Sequence, residues 1–269
     1  MRLEEKEQCV IYVVKQCAVS HSQACRLLSC SRSTKYYERK MPQKDEPVST
    51  AIKNAIGTKR RGRKKVIAML QRTHPYYSSS RIRRVYEQKG YALYSKPRKR
   101  RPQTKANPAF VPMQENHEWG IDFMHDVLVN GRQIRYLNII DPYNRLCKGM
   151  FINYSMPSKR VIELLEIAIE RYGKPALIRT DNGPEFISKR FQLWLKRKEI
   201  KWENIRKGKP QENCFIERFN RTAREELFDA NIFYDLEDAN EKATQFKEEY
   251  NTMRPHESLN NKTPLEYAA

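Results

Sequence analysis

The 269-residue sequence predicts small, basic all-α units followed by an α/β domain, in which a mixed sheet carries helices on both faces. Two observations support this prediction. Residues 1–110 hold 27 Lys and Arg against 7 Asp and Glu, so they carry the whole net charge of +20, whereas residues 111–269 are neutral. The spacing of hydrophobic residues also changes near Glu118, from a helical repeat to the two-residue repeat of β-strands.

Composition narrows both the compartment and the partner. No run of about 18 apolar residues occurs, so the sequence predicts no membrane span. The first ten residues carry acids where a secretory signal needs a basic start, and the six Cys include no CxxC pair, which is typical of reduced thiols. We therefore expect a cytoplasmic, nucleoid-associated protein whose basic N-terminal part binds a polyanion, namely nucleic acid.

Two helix-turn-helix-like segments are predicted, residues 1–45 and 46–94. In the first, Ser20 can cap one helix and Ser31 can cap a second, basic helix. In the second, a helix begins near Arg63 and another follows after a break rich in Ser and Tyr. An ordinary helical hairpin is the alternative for each segment, and the basic excess favours contact with DNA.

A basic, proline-interrupted linker is predicted over residues 95–112, where it could follow phosphates; a nuclear-localisation tract is the competing interpretation. Four nearby side chains raise the possibility of zinc: Cys17, His21, Cys25 and Cys30. Their spacing matches no usual zinc motif, so small buried thiols are the prediction. The candidates for DNA contact in the N-terminal part are Arg63, Lys64, Lys65, Arg98, Lys99, Arg100 and Arg101.

The α/β domain begins with three predicted antiparallel strands. The first alternates from Trp119 to Met124, an Asn-Gly pair marks the following hairpin, and two more strands end near Ile140 and Asn153. The next elements are then predicted in order: a helix from Ser158, a strand over 176–180, a helix over about 185–198, a strand over 200–202, and a mobile loop over 204–212.

Three acidic residues are candidates for a shared site. Asp122 lies within an otherwise apolar strand, Asp181 follows another strand directly, and Glu217 lies on an amphipathic helix. Two of them have an ordinary alternative: an Asx turn for Asp181 and a surface ion pair with Arg221 for Glu217. Asp122 is harder to dismiss, because a carboxylate inside an apolar strand requires a partner. Asp126, on the same strand face as Asp122, is the rival for the first position.

These residues resemble a known family. The segments WGIDF, IRTDNGPEF and ENCFIERFNRTAREEL resemble, in order and spacing, the catalytic core of bacterial insertion-sequence transposases and retroviral integrases. There are 58 residues between Asp122 and Asp181 and 35 between Asp181 and Glu217, the interval of the Asp-Asp-35-Glu class. Arg224 matches a Lys or Arg of insertion-sequence members, and the tail from Tyr250 to Tyr267 resembles the YN-RPH-SL-P ending of the IS-three group. Arg218 departs from the pattern, because a small residue often follows the Glu.

The resemblance implies a ribonuclease-H-like fold over residues 113–230, with a C-terminal helical extension over 231–269. It also implies that Asp122, Asp181 and Glu217 are catalytic and hold two Mg²⁺ or Mn²⁺ ions, Asp122 bridging both. The implied reaction is cleavage and strand transfer of DNA at the ends of an element and at a target. DNA contacts are expected, in this part of the chain, from Asn182, Lys209, Arg221 and Arg224.

The resemblance further implies a homo-oligomer on DNA. The chain resembles the second-frame product of this group, which is commonly fused by frameshift to an upstream product. Two other functions remain open from the sequence: a DNA-binding regulator of transposition that never cleaves, and a ribonuclease-H-like nuclease that acts on RNA–DNA hybrids.

Overall fold

In the computed structural model, the described residues are 3–33, 40–59, 61–93, 112–205 and 213–269. Contacts between residues divide the chain into two compact units, Met1–Thr50 and Ala51–Ala269. The domain boundaries expected from the sequence remain predictions. Several predicted features lie outside the described residues: the linker up to residue 111, the loop residues 206–212, and the candidates Arg98, Lys99, Arg100, Arg101 and Lys209.

The first unit contains helices α1 (Leu3–Cys17) and α2 (His21–Leu27). Ser20 caps α2 as expected: its side chain accepts a hydrogen bond from the backbone N–H of Gln23, and the Gln23 side chain accepts one in return. Val10, Ala24 and Cys25 form the buried contact between the two helices. The predicted second helix at 31–37 falls largely outside the described residues, and α1 was not predicted.

Helix α3 (Lys40–Ile56) runs across the division at residue 50 and was not predicted either. Two further helices follow in the second unit, α4 (Arg63–Thr73) and α5 (Ser79–Gln88), and the Ser78 side chain caps α5 by accepting from the N–H of Arg81. Both helices were expected here. Their apolar sides are buried through Val66, Leu70, Ile82, Val85 and Tyr86.

Ion pairs attach helix α4 and the segment before it to the C-terminal part of the same unit. Lys59 and Arg61 both contact Glu249, and Arg72 contacts Glu266 at 2.8 Å. Many basic side chains of this region therefore neutralise acids of the core.

A five-stranded sheet in the order β3-β2-β1-β4-β5 forms the centre of the second unit. Its strands are β1 (Glu118–Val127), β2 (Gln133–Ile140), β3 (Cys147–Asn153), β4 (Leu177–Thr180) and β5 (Lys201–Asn204). The first three pair antiparallel, and β4 is parallel to both β1 and β5. Arg179 of β4 donates to both carboxylate oxygens of Glu118 at 2.9 and 3.1 Å, which ties the parallel pair together. The predicted mixed sheet is confirmed.

Helices cover both faces of this sheet. Helices α6 (Ser158–Tyr172), α7 (Pro184–Ile187) and α8 (Lys189–Lys198) pack on one face, against a core that includes Trp119 and Ile178. Helices α9 (Cys214–Ala223) and α10 (Leu236–Thr252) pack on the other, against Tyr136 and Ile140. A short helix, α11 (Pro264–Ala268), ends the chain.

The prediction of one helix from about 185 to 198 is wrong. Ser188 has an extended backbone (φ −58°, ψ 140°), and its side chain accepts from the N–H of Phe191, so it ends α7 and caps α8. A second irregularity follows α9, where Arg224–Phe228 form a π-helical turn with a hydrogen bond of 2.9 Å from the N–H of Asp229 to the carbonyl of Arg224.

Among the helices of the described residues, none combines the length and the apolar character that crossing a membrane requires.

Glu226, on the π-helical turn, is a buried acid whose removal should destabilise the second unit. It accepts from Arg254, and Lys65 lies 3.4 Å away. Burial alone would raise the pKa of Glu226, but Arg254, Lys65 and Arg61 hold it below its ordinary value. We expect Glu226→Ala to lower the free energy of unfolding by about 3–5 kcal/mol, because buried cations lose their partner.

Chemical denaturation measures this change, and the neighbouring exposed Glu225 offers a matched control. Glu225→Ala should stay within about 0.5 kcal/mol of the parent. Equal midpoints for the two variants would show that the buried ion pairs contribute no stability.

Candidate active site

Asp122 lies on β1, on the sheet face that α9 covers. Its cross-strand neighbour is Asn138 of β2, which is fully buried. Helix α9 can approach β1 here because position 120 is glycine: a Cβ on Gly120 would lie 3.6 Å from that of Ile216 and 3.4 Å from Oδ1 of Asn213. The strand thus presents Asp122 to the first turns of α9.

Asp181 follows β4 directly, at the end that is adjacent to Asp122. The parallel register pairs Gly120 with Arg179, and continuing it by two residues would place Asp122 opposite Asp181. Oδ1 of Asp181 accepts from the N–H of Gly183 at 3.1 Å, so the Asx-turn alternative describes one of its oxygens. A Cβ on Gly183 would lie 3.1 Å from that same Oδ1, which explains the glycine.

Glu217 lies on the exposed side of α9. The opposite side of this helix is buried through Ile216, Phe219 and Ala223, as the hydrophobic spacing predicted. Asn220, one turn further on, shares the side of Glu217 and donates through Nδ2 to Oδ2 of Asp122 at 2.8 Å. Helix α9 therefore brings Glu217 to the sheet edge that carries the two aspartates.

The charges of the other two acids act on Asp122. The pKa of Asp122 is raised to about 6, first by burial and then by the negative charges of Asp181 and Glu217; hydrogen bonds from the Phe123 N–H and from Asn220 oppose this shift. No cation is among the groups that shift this pKa. Among the described residues, the charges that act most on Asp122 are therefore negative.

The described residues nevertheless contain no group of three His, Cys, Asp or Glu side chains close enough to hold one metal ion. The oxygens of the two aspartates already accept hydrogen bonds: Phe123 and Asn220 donate to Asp122, and Gly183 donates to Asp181. The donor chemistry does fit a hard divalent cation, since all three candidates offer carboxylate oxygens. The same finding speaks against zinc at Cys17, His21, Cys25 and Cys30; of these, Cys25 is buried and Cys17 is exposed.

A pair of asparagines, which sequence reasoning missed, holds Asp122 in place. Asn138 donates to Oδ1 of Asn220 at 2.8 Å, and Asn220 in turn donates to Asp122. Two signals could have found them: Asn138 is polar within the apolar run of β2, and Asn220 lies three residues after Glu217.

Asp126, the rival of Asp122, has a different partner. Nη1 of Arg224 lies 2.9 Å from Oδ2 of Asp126, and Nη2 donates to the carbonyl of His125 at 2.7 Å. The carboxylate of Asp126 is therefore already neutralised, and the guanidinium of Arg224 is fixed at the β1 edge of the site.

The other predicted DNA contacts are placed as follows. Asn182 bridges the carbonyl of Ile205 and the side chain of Asn204, so it joins the β4 and β5 ends. Arg221 is exposed on α9. The three basic residues at the start of α4 are each engaged with an acid: Arg63 with Glu87, Lys64 with Glu257, and Lys65 with Glu226.

Comparison with known proteins agrees with this architecture. Two family models, both described as an integrase core domain, match residues 112–210 and 198–264. The chain is 29% identical over 252 residues to a 31.7 kDa protein of insertion element IS407 from Burkholderia multivorans, covering 93% of this chain and 91% of that protein. It is 28% identical over 196 residues to the transposase of insertion sequence IS904 from Lactococcus lactis, covering 71% and 74%.

Among solved structures, a chain of the simian T-cell lymphotropic virus intasome superimposes with a TM-score of 0.53 at 19% identity, covering 77% of this chain and 70% of that one. This likeness supports the fold, which is ribonuclease-H-like as predicted: a five-stranded mixed sheet with helices on both sides. These matches support an insertion-sequence transposase with a retroviral-integrase-like core.

Asn220 should matter for activity although it carries no charge. We expect Asn220→Ala to lower DNA strand transfer by about 10–100-fold, the usual cost of removing a group that orients a metal-binding carboxylate. Strand transfer measured across a series of Mn²⁺ concentrations checks this, and part of the loss should be recovered at high Mn²⁺.

Asn240, on α10, provides the control, since its side chain donates only to the carbonyl of Leu236 on its own helix. Asn240→Ala should retain activity. Full activity of Asn220→Ala at every Mn²⁺ concentration would contradict the positioning role of Asn220.

Proposed function

We propose that this chain catalyses metal-dependent cleavage and strand transfer of DNA and thereby moves an insertion sequence. The observation that carries the proposal is the approach of three acids from three separate elements: Asp122 from β1, Asp181 from the end of β4, and Glu217 from α9. Two of the acids lie on regular elements of the core and the third directly follows a strand, an arrangement that supports a defined site.

Asp122, Asp181 and Glu217 would hold Mg²⁺ or Mn²⁺, with Asp122 shared between two ions. When bound, such ions supply Lewis-acid charge that activates a water or a DNA 3′-hydroxyl and stabilises the leaving oxygen. To hold an ion, Asp122 and Asp181 would turn oxygens that now accept from the N–H groups of Phe123 and Gly183.

The remaining side chains would position the acids and the DNA. Asn220 holds one oxygen of Asp122, while the small Gly183 leaves space beside Asp181 for a phosphate. Arg224 is fixed by Asp126 at the β1 edge of the site and would contact the phosphate backbone of the bound DNA strand.

Further partners follow from this function as parts of the same proposal. The DNA substrates would be the ends of the element and a target, bound by a homo-oligomer at the nucleoid. The match to a chain of the simian T-cell lymphotropic virus intasome supports an oligomer. The resemblance of the tail to the IS-three group supports a second-frame product that is fused to an upstream product by frameshift.

Of the alternatives, neither the regulator nor the hybrid-cleaving nuclease is favoured by the relatives, one of which is named a transposase. Binding of DNA without nicking in Mg²⁺ would instead support a regulator, and cleavage confined to RNA–DNA hybrids would support a nuclease.

Neutralising any of the three acids should remove catalysis. We expect Asp122→Asn, Asp181→Asn and Glu217→Gln each to lower cleavage and strand transfer by on the order of 100-fold or more, because each loses a metal ligand whose effect is several kcal/mol. The assay is transfer of a labelled end into plasmid DNA, with binding of the same DNA measured in parallel to confirm folding.

Two comparison variants sharpen this test. Asp229→Asn changes an exposed acid just after the π-helical turn and should stay active. Asp126→Asn frees Arg224 and should weaken the reaction only partly. If Asp122→Asn were active and Asp126→Asn inactive, the first metal ligand would be Asp126.

A further inference from the structure

A second candidate site lies beside α9, in a cavity of about 390 Å³. We call it the basic cavity. Its walls come from α9, from the turn after α10, from α4 and from the β2–β3 turn, all within the second unit. The cations that line it are Lys65, Arg145, Arg218, Arg221 and Arg254.

Acids balance this charge only in part. Glu225 and Glu257 also line the basic cavity. Glu226, which does not line the cavity, forms ion pairs with Arg254 and Lys65, and Glu257 forms one with Lys64. Within the residues that the structure describes, no carboxylate is paired with Arg145, Arg218 or Arg221, so three guanidinium groups face the same space unneutralised.

Arg145 is the least expected of the three. Its backbone is left-handed (φ 61°), and its guanidinium stacks 3.9 Å from the centre of the Phe215 ring. Its buried Nη1 has no hydrogen-bond partner among the described residues. Burial, with the charge of Arg218 adding to it, lowers the pKa of Arg145. A buried guanidinium without a carboxylate is costly and gains from an anion.

His256 responds to the same positive surroundings. Burial and the charges of Arg254, Lys65, Arg145 and Arg218 lower its pKa to about 3, so it stays neutral at any ordinary pH. The chain therefore keeps a neutral imidazole where a further positive charge would be repelled.

Helix α9 carries residues of both the basic cavity and the candidate active site. Arg218 and Arg221 lie one and four residues after Glu217 on α9, which is at most about 6 Å along the helix axis. A strand with one phosphate at the carboxylates would therefore reach the mouth of the basic cavity with a neighbouring phosphate.

We propose that the basic cavity binds a backbone phosphate of the DNA strand, adjacent to the phosphate at the carboxylates, through Arg218, Arg221 and Arg145. This rests on the proposed function and extends it by a second anchoring point. Arg218, which departs from the family pattern, is then a phosphate contact. Because the contacts are to phosphate, binding here is independent of base sequence.

The test measures DNA affinity across salt concentrations, in the absence of divalent ions, so that no chemistry takes place. Arg218→Gln and Arg221→Gln are exposed changes on α9. Each should reduce the slope of log affinity against log salt by about 1, and should weaken binding equally for different DNA sequences. Arg145→Gln should do the same where it folds, as checked by its thermal transition.

Arg197→Gln is the matched control. Arg197 is an exposed residue of α8, on the opposite face of the sheet, and its loss removes the same charge. Its slope should equal that of the parent. Unchanged slopes for Arg218→Gln and Arg221→Gln together would overturn the proposal.

A titration with inorganic phosphate separates a DNA site from a site for a small anion. If phosphate raised the melting temperature of the parent but not of Arg218→Gln, while the DNA slopes stayed equal, the cavity would be a small-anion site and the DNA proposal would be wrong. Failure of the proposed function is distinguishable, because it would show as activity that survives loss of the carboxylates.

Discussion

The hydrogen bonds that run from Asn138 through Asn220 to Asp122 join the central sheet to helix α9, and the geometry of the acidic site depends on them. Asp122 is half-buried among like charges, an arrangement that electrostatics alone would disperse. Asn220 donates to the carboxylate and Asn138 donates to Asn220, and neither amide neutralises the charge. The site thereby retains the negative charge that a cation would need. The buried contacts around Gly120 and Ile216 hold α9 against β1 despite the repulsion between the carboxylates.

Positive charge is divided between two tasks in the second unit. Lys59, Arg61 and Lys65 attach the helical region to acids of the core, and their role is structural. The guanidinium groups of Arg145, Arg218 and Arg221 lack such partners. A count of basic residues cannot separate the two groups, because the difference depends on which carboxylates the fold brings near. Helix α9 carries Glu217 of the acidic site as well as Arg218 and Arg221 of the unpaired group.

Regular periodicity made much of this fold predictable. The antiparallel strands, the strand before Asp181 and the amphipathic helix of Glu217 follow from hydrophobic spacing and turn residues. The break at Ser188 was missed because a single serine gives no periodic signal. Helix α1 was missed because most of its apolar residues form one continuous run, and α3 because its sequence is polar and contains Pro47. For the site, the acids could be predicted as residue types, whereas the asparagine contacts and the pairing of Arg224 with Asp126 depend on tertiary packing.

The π-helical turn at Arg224–Phe228 changes which side chains of the segment after α9 face the core. Such a wide turn rotates the chain less per residue, so three successive side chains, Glu226, Leu227 and Phe228, all point inward. The turn therefore lets Glu226 meet Arg254 and Lys65 while the next two side chains, Leu227 and Phe228, join the apolar core beneath α9 and α10.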